Sequence, residues 1–308
     1  MGAAATQEFL GGRIEPAGIS KCDNVIVGYI VSGYAARQFG YRQSVRRMDS
    51  SFLGFSIAGL VVGFIVGMTG VGGGSLMTPI LLWFGINPAT AVGTDLLYAA
   101  VTKCSGVWVH GRNRNIDWGI TGWLALGSVP AAAITLWLLN SLHTDTQALN
   151  AVIKTSLAYV LFLTALAILF RSRLLAFASR HAGDRYSLSP RALNACTLLT
   201  GVVLGAMVSL TSIGAGALGT VALFMLYPFL ATRRLVGTEI AHAVPLTLVA
   251  GLGHAGMGNM DWPLLGHLLI GSLPGIYLGS HLSGRVPDTV LRPCLAVMLG
   301  LIGLKLLY

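Results

Sequence analysis

Three ionisable side chains, Asp95, Lys103 and Glu239, stand well inside otherwise apolar stretches of this 308-residue sequence. A charge placed in hydrocarbon costs about 2.5–3.5 kcal/mol even on the lenient insertion scale, so such residues face a polar cavity, pair with one another or handle protons. Tyr98 follows Asp95 by three residues and His242 follows Glu239 by three, which on a helix puts each pair on one face. Glu239 with His242 is therefore a candidate proton-accepting pair, and Asp95 a second candidate carboxylate for proton coupling. A structural role explains the same residues equally well, each carboxylate bonding nearby hydroxyls or freed backbone N–H groups and tying segments together. Lys103, two helical turns beyond Asp95, is placed to offer positive charge to an anionic substrate.

Two glycine-rich interruptions lie upstream of these charges: Thr69-Gly-Val-Gly-Gly-Gly-Ser75 and Thr211-Ser-Ile-Gly-Ala-Gly-Ala217. Adjacent glycines unwind a helix at little cost in φ/ψ, but they free backbone N–H groups, which within a membrane must find a partner, water or a ligand. Because a new helix follows each break, its free N–H groups and positive dipole end form an anion cradle with the neighbouring hydroxyls. The candidate substrate-binding residues are thus Thr69, Gly72, Gly73, Gly74, Ser75 and Thr78 in the first break, and Thr211, Ser212, Gly214, Gly216 and Thr220 in the second, with Lys103 beside them. Close packing is the competing use of glycine, and it is the expected one for Gly59, Gly63, Gly67, Gly201, Gly205 and Ser209 at their four-residue spacing. A soluble nucleotide-phosphate loop is excluded, since no Gly-Lys-Ser/Thr follows either break.

The elements that carry these residues belong to a membrane. The sequence is 54% hydrophobic and 10% charged with 40 glycines, and its mean hydropathy is +0.73. A soluble domain carries about 25% charged residues, so a soluble enzyme, a disordered chain and a disulfide scaffold are excluded. The net charge of +9 sits in short loops rather than in a stripe, which is a topology signal and argues against a nucleic-acid partner. Cys22, Cys104, Cys196 and Cys294 lie far apart without a C-x-x-C pair; they are expected to be small buried side chains, and neither a metal nor a cofactor is implied. Residues 1–51 are more polar, with Arg37, Arg42, Arg46 and Arg47, and are expected to be an extension ahead of a natural start at Met48 or a soluble tail.

Comparing the sequence with itself at an offset of 142 aligns Gly59, Gly63, Thr69, Gly72, Gly74 and Thr78 with Gly201, Gly205, Thr211, Gly214, Gly216 and Thr220. An offset of 144 aligns Gly93-Thr94, His110, Asp117-Trp118 and Gly127-Ser128-x-Pro130 with Gly237-Thr238, His254, Asp261-Trp262 and Gly271-Ser272-x-Pro274. Two copies of one unit are predicted, 52–170 and 192–308, joined by a basic cytoplasmic linker, 171–191. Each copy holds five apolar segments: 52–68, 75–86, 89–110, 118–140 and 150–170, then 192–209, 215–230, 234–255, 262–282 and 289–308. The second in each is too short for a hydrocarbon core of about 30 Å and pairs with its predecessor as a broken hairpin. A hairpin plus three crossings is odd, so the copies are expected to be inverted, and this keeps Arg112, Arg114, Arg233, Arg234 and Arg285 on the cytoplasmic side. A single kinked crossing at 52–86 would instead make the copies parallel and put Arg233 and Arg234 outside. The predicted fold is an all-α polytopic membrane protein of two inverted repeats with about 8–10 membrane segments. His110 and His254 are expected to be polar caps at helix ends, and Asp117 and Asp261 to begin helices with Trp118 and Trp262 at the interface.

The first helix with its G-x-x-x-G-x-x-x-G spacing, the T-G-V-G-G-G-S-L-M-T-P run at 69–79 and the following A-x-x-x-G-T-D/E, present twice, resemble the sulfite exporter TauE/SafE family, also called the toluene sulfonate uptake permease family. The resemblance spans about residues 52–308. It implies a transporter of small sulfur-containing anions such as sulfite, sulfonates or sulfoacetate in the cell (inner) membrane. The second copy departs from the pattern, with Ala215 and Ala217 for glycine and serine and Val221 for proline, so the two cradles need not bind equally. The function expected is proton-coupled alternating access around paired breaks; the alternatives are an anion channel or a carrier of another small anion such as a carboxylate. An intramembrane enzyme lacks support, with no H-E-x-x-H or G-x-S-x-G. The partners expected are the anionic substrate, protons and the lipid bilayer; the oligomeric state is left open.

Overall fold

In the computed structural model of the protein, residues 52–69, 74–142, 146–180, 189–282 and 288–307 are described. Eleven α-helices, and no strand, occur among these: α1 Phe52–Thr69, α2 Gly74–Trp83, α3 Pro88–Arg112, α4 Trp118–Leu142, α5 Thr146–Leu169, α6 Arg171–Arg180, α7 Pro190–Thr211, α8 Ala217–Leu226, α9 Thr232–Gly256, α10 Trp262–Leu282 and α11 Asp288–Leu307. The protein is an all-α, multi-pass membrane protein. The expected extension at 1–51, with its basic run and the Met48 start, lies outside the described residues.

Helix boundaries follow local chemistry. Asn87 caps α3, its side-chain oxygen accepting from Ala89 N–H at 3.0 Å, and Pro88 supplies a preset φ at the first helical position. Ser189 and Pro190 start α7 the same way, with Ser189 Oγ accepting from Ala192 N–H at 3.3 Å. Asp117 accepts from Gly119 and Ile120 N–H, and Asp261 from Leu264 N–H at 2.9 Å, so both acids cap helices that begin on an exposed tryptophan, as expected. The two short helices α2 and α8 each have ten residues, about 15 Å at 1.5 Å per residue, and so cannot cross a core of about 30 Å. One helix had no counterpart in the expected segments: α6 occupies the basic linker, with Arg171, Arg173 and Arg180 on ten residues.

Among the described residues, four helical stretches are long and apolar enough to cross a membrane by themselves: Trp118–Ser141, Gln147–Leu169, Pro190–Thr211 and Thr232–Gly256. Large apolar side chains on their outer faces are exposed, among them Leu126, Ile134, Trp137, Leu163, Leu199 and Val203. Such a belt would aggregate a protein in water and is the surface that lipid covers. Helix α3 is less apolar because protein rather than lipid surrounds it: from Ala91 to Ala100 every residue is buried. Its repeat partner α9 packs along it, N-terminus to C-terminus, with Gly93 under the Asn259 carbonyl beyond the end of α9 and Gly237 under the Asn115 carbonyl beyond the end of α3.

The outer contacts come in exchanged pairs. Gly59 and Gly63 on α1 meet the backbone of Leu268 and Ser272 on α10, while Gly201 and Gly205 on α7 meet that of Leu124 and Ser128 on α4. A Cβ at any of these four glycines would collide with a facing carbonyl, so the small-residue stripes serve helix packing, as expected. Thr238 Oγ1 accepts from Asp117 N–H at 2.9 Å and Thr94 Oγ1 from Asp261 N–H at 3.3 Å. The central helix of each copy thus anchors the start of the fourth helix of the other.

Two expectations about side chains are corrected. Cys104 is exposed and Cys196 half-buried rather than enclosed in the core, while Cys22 and the side chain of Cys294 lie outside the described residues. His254 is fully buried and spans two helices instead of capping one, its Nε2–H donating to Ser209 O at 2.8 Å.

Candidate functional site

The centre of the molecule is where the first half of α3 crosses α2 and the second break. Asp95 is completely buried there, and its Oδ2 accepts from both the hydroxyl and the N–H of Thr78, the latter at 3.1 Å. Ser212, the second-break residue that follows the end of α7, lies beside the same carboxyl group. Asp95 is thereby shared between the short helix of its own copy and the break of the other. Thr78 of α2 and Ser212 of the second break therefore lie at the same carboxylate.

Ser212 adopts a left-handed conformation, with φ +57°, at the end of α7. Glycine, which stands at the equivalent position 70, adopts this conformation without strain, whereas serine there costs on the order of 1 kcal/mol. A strained non-glycine residue at a helix break points to a use for its side chain, and the use available to this hydroxyl is the adjacent Asp95. Gly214 follows with φ +120°, so this segment turns without a regular helical bond before α8 begins at Ala217. Thr211 and Thr220 spend their hydroxyls locally, Thr211 Oγ1 donating to Met207 O at 2.7 Å and Thr220 Oγ1 to Gly216 O at 2.6 Å.

Lys103 is buried and donates to Ala215 O, in the middle of the second break, at 2.5 Å. Its ammonium also faces the two carboxylates Glu239 and Asp95 without a contact pair to either. Glu239 is buried against α8, where a Cβ on Gly219 would sit 3.1 Å from Glu239 Cγ. At the position equivalent to Gly219 the first copy has Met77, the residue before Thr78. Glu239 thus stands where the neighbouring helix has no side chain.

The geometry separates one predicted pair. His242 is buried, and its Nε2 lies 2.8 Å from Ser128 Oγ on α4, so its hydrogen bond runs to the other copy and not to Glu239. Tyr98, at the equivalent place in the first copy, lies beside Ser272, the equivalent of Ser128. These serines escaped notice as site residues because the Gly-Ser-x-Pro element marks the repeat, and because a serine in an apolar helix usually bonds its own backbone. The available signal was position: each serine follows a glycine on a packing face, where the only polar group must look inward.

The predicted binding residues therefore divide. Thr78, Asp95, Lys103, Ser212, Glu239 and His242 gather around the crossing of α3 with α9 and the second break. Gly214 and Gly216 shape that break. Gly72 and Gly73 lie outside the described residues, as do the side chains of Thr69 and Ser75, while Gly74 opens α2. Chemically the cluster holds one cation and two carboxylates in a buried, hydroxyl-rich centre between two interrupted helices.

Comparison with known proteins follows the same outline. Residues 55–306 match the family described as "Sulfite exporter TauE/SafE". A "Probable membrane transporter protein YjnA" of Bacillus subtilis is 42% identical over 252 residues, covering 82% of this chain and 98% of its own length. The "Probable membrane transporter protein YdhB" of the same organism is 30% identical, over 80% of this chain and 97% of that one. A third, MJ0441 of Methanocaldococcus jannaschii, also named a probable membrane transporter protein, is 27% identical over 82% of this chain and 93% of its own. No solved structure matches.

Proposed function

The chain belongs to the sulfite exporter TauE/SafE family of membrane transporters, and from that premise we propose that it is a secondary carrier of a small sulfur-containing anion, of the sulfite, sulfonate or sulfoacetate type, in the cell (inner) membrane. The observation that carries the proposal is the central cluster: Asp95 held by Thr78, and Lys103 held by the second break, in a site buried from every side.

The charges of this cluster sum to −1 when all three groups are ionised, from +1 for Lys103 and −1 each for Asp95 and Glu239. An anion entering such a site raises the local negative charge in a low-dielectric setting, where uncompensated charge is expensive. Protonating one carboxylate brings the cluster to zero, and protonating both brings it to +1. Anion entry and proton uptake are therefore linked by electrostatics. In this scheme Lys103 swings from the Ala215 carbonyl to the anion, Thr78 transfers its hydrogen bonds from Asp95 to it, the neighbouring Ser212 hydroxyl adds a donor, and Glu239 accepts the coupling proton.

Alternating access between inverted halves is supported by two observations. Equivalent helices α3 and α9 pack N-terminus to C-terminus, the arrangement that an axis lying across them would give. Arg234 forms an ion pair with Asp117 at 3.0 Å, so the α8–α9 connection and the α3–α4 connection share one side, as inverted copies require.

Counterflow of labelled sulfite into proteoliposomes preloaded with candidate anions, with and without an imposed pH gradient, tests the proposal. Accumulation above equilibrium, competed by sulfite or one sulfonate and steepened by the gradient, is the expected result. Flux without counterflow or saturation would replace the carrier by a channel. Counterflow driven only by a carboxylate would keep the carrier and change its cargo.

A further inference from the structure

Away from the centre, a cavity of about 360 Å³ lies between α2, α5 and α11. Its floor is hydrocarbon, with Leu82 from α2 and Met298 and Ile302 from α11. Two ammonium groups stand at it, Lys154 from α5 and Lys305 from α11, and none of its lining side chains is acidic. Neither lysine has an acidic partner among the described residues. Trp83, at the end of α2, is 71% exposed and lies under the Lys305 ammonium, 5.8 Å from ring centroid to Nζ. Tryptophan and snorkelling lysines at one level mark a membrane–water boundary, with the apolar part of the groove running from there into the hydrocarbon.

The chemistry of the groove selects its occupant. A water-soluble anion would satisfy the lysines but leave the apolar floor unfilled, and a zwitterionic lipid would fill the floor while its own cation opposed the two ammonium groups. A molecule with an anionic head and a hydrocarbon tail satisfies both. We propose that this groove binds one anionic phospholipid, its phosphate between Lys154 and Lys305 and an acyl chain along α11 and Leu82. The site also reaches the centre of the protein mechanically. Pro79 lines the groove, and its neighbour Thr78 carries the hydrogen bonds to Asp95. Helix α2 is too short to cross the membrane, so a lipid wedged against its outer face braces the element that holds the central carboxylate.

Native mass spectrometry of the purified full chain, exposed to equal phosphatidylglycerol and phosphatidylcholine, reads this directly. The expected result is retention of phosphatidylglycerol in preference by tenfold or more, a preference near one in Lys154→Gln/Lys305→Gln, and its return in Lys154→Arg/Lys305→Arg. Millimolar inorganic phosphate should leave the lipid bound. Equal retention of the two lipids by the wild-type chain overturns the proposal whatever the variants do, and so does an unchanged preference in the glutamine variant. Displacement by inorganic phosphate would make the groove a site for small anions and overturn it as well.

Discussion

At the level of single residues, the proposed mechanism gives the buried charges different tasks. Each carboxylate has one oxygen without a hydrogen bond among the described residues, Asp95 Oδ1 and Glu239 Oε1, but the other oxygen of Asp95 accepts two from Thr78. The proposed mechanism therefore assigns the coupling proton to the less committed carboxylate, Glu239. Glu239→Gln is expected to abolish pH-driven accumulation while leaving anion exchange, measured by counterflow with and without a gradient; wild-type coupling in this variant would remove Glu239 from the mechanism. Lys103 has the opposite role. A hydrogen bond to a charged group contributes about 1.5–3 kcal/mol, so Lys103→Met is expected to lower flux about ten- to a hundredfold, and Lys103→Met/Glu239→Gln should recover folding without recovering flux. Ser128→Ala strands the buried imidazole of His242 and should destabilise the protein by about 1–3 kcal/mol, seen as a lowered melting temperature in detergent.

At the level of elements, the contrast between glycines decides which are structural. Gly63 and Gly205 lie against facing backbone, where a rigid carbonyl cannot give way, while Gly54 has nothing within 4 Å of an added Cβ. Gly63→Val and Gly205→Val are therefore expected to force α1 from α10 and α7 from α4, with loss of folded protein by size-exclusion chromatography. Gly54→Ala should fold normally and gain up to about 0.5–1 kcal/mol from the lower entropy cost of alanine in a helix. The breaks obey another logic. Copy one uses glycine at position 70, where copy two keeps a strained serine, and this difference places a hydroxyl next to Asp95 from the second break.

Across the whole molecule, the exchanged contacts bind the two copies into one body. Thr94 and Thr238 anchor each other's fourth helices, Tyr98 and His242 lie by each other's serines, and α3 and α9 share the centre. A membrane orientation follows that labelling can check. In a background with its cysteines replaced, Arg114→Cys and Arg233→Cys are expected to react with an impermeant maleimide from the same side, and Gln147→Cys from the opposite side. Reaction of positions 114 and 233 from opposite sides would contradict inverted copies. The Arg234–Asp117 pair itself is half-exposed and stabilises by no more than about 1 kcal/mol, so it reports this arrangement more than it enforces it.

What the sequence determined alone was set by local physics. Hydropathy placed the membrane helices, since every backbone group in lipid must be satisfied within its own segment. Glycine runs located the ends of α7 and the start of α2 and α8, because unwinding is cheapest where side chains are absent. The internal repeat named Asp95 with Glu239 as equivalent buried acids, which the burial of both bears out. The pairing of side chains was decided by the tertiary structure. His242 shares a helix face with Glu239, yet it bonds Ser128, 114 residues away. Lys103 finds its partner 112 residues on, in the break of the other copy. Helical spacing says which residues share a face, but the face across from them is chosen by how the copies pack. In this protein they pack so that each supplies what the other's central helix lacks.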